Sequence, residues 1–122
     1  MSDQEKIEIT HLRSPIKCVL WEHPDRLKDK FGEFFDEVET NEDSSHLTRT
    51  LCECRECGQL YFFEWYEWVD WVDGNDKSYS TLVPVHTQEE IEALKQTNMF
   101  SLICYFPRLQ PDSGKPSWNE KD

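Results

Sequence analysis

The residues best equipped for chemistry are three closely spaced thiols, Cys52, Cys54 and Cys57. Cys54-Arg55-Glu56-Cys57-Gly58 has the spacing of a metal knuckle, in which two thiolates turn toward one cation and a glycine permits the tight backbone after the second. A structural zinc site normally uses four ligands, and the chain has no second CxxC pair. Cys52 is close by, and His46, Cys18 or Cys104 could complete a set through folding, so the fourth ligand stays open. Cys18 and Cys104 lie in apolar runs and read as buried core thiols rather than as ligands. Arg55 would favour a neighbouring thiolate and Glu53 and Glu56 would oppose it. The same segment could also be a knuckle-shaped turn with free thiols. A redox role lacks the βαβ setting of thioredoxin-like motifs.

The cysteines run directly into Leu60-Tyr61-Phe62-Phe63-Glu64-Trp65-Tyr66-Glu67-Trp68-Val69-Asp70-Trp71, an aromatic stretch studded with carboxylates. Glu64, Glu67, Asp70, Asp73 and Asp76, with Trp71, are candidates for a partner-binding surface: aromatic residues anchor interfaces, and surrounding acids select a cationic partner. Paired carboxylates do acid/base work only where burial or a close neighbour separates their pKa values, which spacing does not show. The aromatic residues would serve equally as the core of a small sheet. No glycine-rich phosphate loop, G-x-S-x-G elbow or H-E-x-x-H occurs, and the four histidines are scattered, so no catalytic residue is assigned and a binding protein is expected rather than an enzyme.

Composition narrows the partner. Thirteen Lys and Arg face 25 Asp and Glu, a net charge of -12. The excess is spread along the chain, with 12 acids against 6 bases in residues 1–45, 7 against 3 in 46–86 and 6 against 4 in 87–122. A nucleic acid would need a cationic face, so a basic protein is the expected partner. Alternatively, the charge simply keeps the surface soluble. No stretch has the length of a membrane span, and the beginning of the chain lacks the pattern of a secretory signal, so a cytoplasmic protein with reduced thiols is expected.

The elements that must position these residues follow from pattern. Residues 1–122 form a single domain, with 1–10 and 112–122 frayed. Residues 16–21 read as a strand, and residues 24–38 as a helix with Leu27, Phe31, Phe34 or Phe35, and Val38 on its apolar stripe. Residues 40–45 have the composition of a loop. Strands from Leu47 and through about Val72 enclose the knuckle as a hairpin tip. The Asp73-Gly74-Asn75-Asp76 turn returns the chain through Tyr79–Val85. Thr87-Gln88-Glu89-Glu90 has the form of a capping box opening a helix over 88–97, and residues 100–106 read as a last strand. The expected fold is α+β: an antiparallel sheet of two consecutive hairpins plus flanking strands, with two helices packed on it.

Cys54-Arg55-Glu56-Cys57-Gly58-Gln59, Tyr61, Glu64-Trp65-Tyr66-Glu67, Asp70-Trp71, Gly74-Asn75-Asp76, Val83-Pro84-Val85 and Pro107-Arg108-Leu109 occur in an order that resembles a group of small bacterial proteins, over about residues 46–109. Some of that group are similar to immunity proteins that accompany polymorphic toxins. The resemblance implies a cytosolic inhibitor that neutralises a basic cognate toxin by direct binding, and it assigns no catalytic residues. The alternative is a zinc-knuckle adaptor or regulatory module in which Cys52, Cys54 and Cys57 stabilise the hairpin tip. A thiol-dependent enzyme is the third reading.

Overall fold

The computed structural model describes residues 10–12, 14–15, 18–27, 31–44, 46–68, 71–74, 77–98, 101–110 and 116–120. Its centre is a six-stranded antiparallel sheet in the order β2-β3-β4-β5-β7-β8, formed by Phe35–Asp43, Leu47–Cys54, Leu60–Trp68, Lys77–Val85, Arg108–Gln110 and Ser117–Asn119. Two short strands, β1 (Thr10–His11) and β6 (Tyr105–Phe106), pair in parallel as a separate ribbon. The architecture is α+β, and the knuckle and the acidic turn are the tips of the successive hairpins β3-β4 and β4-β5.

Both faces of the sheet are buried, which follows from the two-residue alternation of strand side chains. On one face Cys52 and Cys54 of β3, Tyr61 of β4 and Leu82 of β5 pack under helix α1 (Val19–Glu22), the 3-10 turn Pro24–Leu27 and helix α2 (Phe31–Phe34), through Leu20, Leu27 and Phe34. On the other, Leu51, Phe62, Val83 and Val85 meet helix α3 (Gln88–Lys95) and the 3-10 turn Ser101–Cys104, through Ile91, Leu94 and Leu102. The sheet is therefore the middle of three layers, and its aromatic strand β4 feeds both cores.

Helix α3 starts where the capping box places it: the Glu90 N–H donates to the Thr87 hydroxyl at 3.1 Å, and the Thr87 N–H donates to the Glu90 carboxylate at 3.2 Å. The helix expected over 24–38 is not formed. Its described part consists of the 3-10 turn, α2, and then β2 from Phe35 onward. The consecutive residues Phe34 and Phe35 are both buried, as a break from helix to strand allows, whereas Val38 is exposed on β2. The expected loop over 40–45 is largely β2, which bulges against β3 between Glu37 and Glu39 and between Thr40 and Glu42. Residues 18–21 are a helix entrance, not a strand, because Leu20 is used to cap the sheet face rather than to pair in it. Residues 101–104 likewise coil before the two residues of β6. Within the tail expected to fray, β8 pairs with β7, and the Trp118 indole N–H donates to the Leu20 carbonyl at 2.6 Å. No helix among the described residues is long and apolar enough to cross a membrane.

Candidate metal centre

The knuckle is held by its backbone. The Gly58 N–H donates to the Cys54 carbonyl at 2.8 Å, the Cys54 N–H donates to the Gln59 carbonyl at 2.9 Å, and Gly58 takes φ +81°, a conformation that suits glycine. The Arg55 N–H donates to the Phe34 carbonyl at 2.8 Å, and the Arg55 guanidinium pairs with Asp36 at 2.8 Å, so the turn is tied to α2 and β2. This fixes Cys54 in the core and leaves Cys57 at the surface.

The third thiol comes from far away in sequence. Cys18 occupies the N-cap position of α1, where its backbone is extended and its side chain makes no full capping bond. Its sulfur lies 3.8 Å from that of Cys54, and the sulfurs of Cys18, Cys54 and Cys57 all fall within 4.8 Å of one another. With zinc–sulfur bonds of about 2.3 Å, the edge of a tetrahedral thiolate site is about 3.8 Å, so the buried pair already stands at ligand spacing. Cys52 is not in this group; its thiol donates to the Tyr61 carbonyl within the sheet, at 3.6 Å. The cluster thus differs from the expected trio in holding Cys18 in the place of Cys52, which lies on β3 opposite Tyr61. His46 lies at the opposite end of β3, 3.1 Å from Glu67.

Burial pushes the Cys18 thiol up to about 12, and burial also raises Cys57 and Cys52. These directions are opposite to that of an activated thiolate nucleophile and disfavour the thiol-enzyme reading. Against burial, the Tyr61 hydroxyl and the Leu20 N–H act to lower the Cys18 thiol, and the Gln59 N–H acts to lower that of Cys57. A cation displaces thiol protons and completes the stabilisation those donors begin. The donor set is soft, suits zinc or copper(I), and includes no fourth protein ligand among the described residues.

The acidic constellation does not form one surface. Glu64 is buried, 3 % exposed, and pairs with Arg49 at 3.1 Å. Glu67 lies on the opposite face of β4 by alternation. Trp71 and Asp73 are exposed in the β4-β5 turn, Trp71 at 87 %, with Val72 at 88 % between them. Asp70 and Asp76 lie outside the described residues. Two-residue alternation along β4 already separates Glu64 from Glu67 in the sequence, but no sequence signal joins Cys18 to the knuckle, since Cys18 and Cys54 are 36 positions apart. No protein family, curated protein or solved structure matches this chain.

Proposed function

We propose that the protein is a metal-stapled binding module in which Cys18, Cys54 and Cys57 hold one soft cation, zinc in the first instance. The observation that supports this most directly is the convergence of three sulfurs within 4.8 Å from two distant segments, two of them buried. The cation fastens the entrance of α1 to the tip of the β3-β4 hairpin and so closes one sheet face over its core. A water or an outside ligand takes the remaining position. Protein purified without chelator is expected to carry about one equivalent of zinc and to lose thermal stability on chelation. Metal content near zero, with no uptake of added zinc by the reduced protein, overturns the reading.

A second reading, a narrower form of the acidic inhibitor, is favoured by the exposed Trp71-Val72 pair beside Asp73. In it the β4-β5 turn meets a basic protein, as an immunity protein meets its toxin, with Trp71 as the anchor and the net charge of -12 speeding encounter. A pull-down from the native host with wild type and Trp71→Ala tests it: capture of one basic protein by the wild type alone supports it, and equal capture by both refutes it.

A further inference from the structure

Tyr61 is fully buried near the start of β4, with Cys52 opposite it on β3 and Pro84 on β5. Its ring is held from two sides, by Phe35 edge-on at 5.4 Å and by Trp118 tilted at 6.4 Å, so the hydroxyl has no route to solvent. That hydroxyl has no hydrogen-bond partner, and Tyr61 packs in the same buried cluster as Cys18 and Cys54. A buried hydroxyl in this state is costly, and a neutral thiol is a weak acceptor for it. A thiolate is a strong one.

Resting on the metal-site reading above, we propose that Tyr61 is the outer-shell positioning residue of the centre, donating its O–H to the metal-bound Cys18 thiolate and thereby setting how tightly the cation is held. Loading the site turns the acceptor of a poorly satisfied buried hydroxyl from thiol to thiolate, so the phenol works against the metal-free protein and for the metal-bound one. Outer-shell donors of this kind change metal affinity by about 10- to 100-fold. The rings of Phe35 and Trp118 hold the phenol within the cluster that contains Cys18.

The contribution therefore reverses sign with occupancy, which separates it from ordinary packing. Tyr61→Phe keeps the ring and removes only the hydroxyl. In the full chain, zinc affinity is measured by competition with a chromophoric chelator, metal-free stability by urea unfolding, and the thiolate environment by the charge-transfer band of the cobalt(II)-substituted protein. The expected result for Tyr61→Phe is a metal-free unfolding midpoint equal to or above wild type, a zinc dissociation constant raised about 10- to 100-fold, and a displaced cobalt band. Equal zinc affinity in both proteins, or a metal-free form destabilised in step with lost affinity, overturns the role of Tyr61 while leaving the metal site intact. Failure of wild type itself to bind zinc or cobalt overturns the site and the Tyr61 role with it.

Discussion

Removing either member of the buried Arg49–Glu64 pair should unfold the protein far more readily than removing both. The two side chains are 5 % and 3 % exposed and approach to 3.1 Å, so at an effective dielectric of about 20 their attraction is about 5 kcal/mol. Arg49 also donates to the carbonyl and hydroxyl of Thr97 beyond the end of α3, and its guanidinium lies 5.3 Å from the Phe62 ring centroid. It thus ties two strands of the sheet to the helix. Arg49→Met keeps most of the apolar stem against Phe62 and leaves the Glu64 carboxylate without its cation, a loss of roughly 3–5 kcal/mol. Glu64→Leu leaves the guanidinium without its anion and should cost a comparable amount. The double variant removes both desolvated charges and should recover to within about 2 kcal/mol of wild type, giving a large coupling energy in the double-mutant cycle. Urea unfolding followed by circular dichroism measures all four proteins. Single losses below about 1 kcal/mol, with negligible coupling, would mean that the pair is solvated like a surface salt bridge. Glu64 would then be available to a partner after all, and the burial argument against it would fail.

Gly58→Ala places a side chain at φ +81° and should cost roughly 1–2 kcal/mol of stability, with a fall in zinc affinity because the strained turn carries Cys57; chemical unfolding and chelator competition read the two effects. Thr87→Ala removes the acceptor for the Glu90 N–H and should lower stability by about 1 kcal/mol, seen as a reduced Tm, with zinc affinity unchanged because α3 lies on the far face of the sheet. Trp118→Phe keeps a ring beside Trp21, 4.8 Å away between centroids, but strands the Leu20 carbonyl and should cost about 1–3 kcal/mol by urea unfolding. Zinc binding to the reduced protein should release protons, detectable with an indicator dye in weakly buffered solution, since the ligands must bind as thiolates.

The parts of the fold legible in the sequence are those decided by local chemistry. Thr87 and Glu90 satisfy each other's backbone donors whatever surrounds them, and β4 has aromatic enrichment and tight turns at both ends, so α3 and the β3-β4-β5 meander follow directly. The failures are positions where packing chose between two periodicities. Leu27 and Phe34 are buried at helical spacing, yet Phe35 begins a strand because β3 offers an unpaired edge with Cys54 opposite it. The apolar run around Val19 and Leu20 has strand composition but reaches the sheet face only as a helical cap. For the site, CxxC spacing located Cys54 and Cys57, whereas Cys18 and Tyr61 join them through tertiary packing, which leaves no spacing to read.

The same topology gives the negative charge a use that requires no partner. β2 is an edge of the sheet, and Asp36, Glu37, Glu39, Glu42 and Asp43 along it are all exposed. An open edge nine residues long would recruit further strands, and charged side chains together with bulges are the means by which edges resist this. β2 has both, with register breaks beside Glu37 and Glu42, while the opposite edge, β8, is only three residues long. If edge protection is the main task of these carboxylates, neutralising Glu37, Glu39 and Glu42 together to Gln should raise concentration-dependent association, read by light scattering, while leaving zinc affinity and capture of a basic partner at the Trp71 turn unchanged. Loss of partner capture without any gain in association would instead assign the β2 acids to recognition, and the edge argument would be wrong.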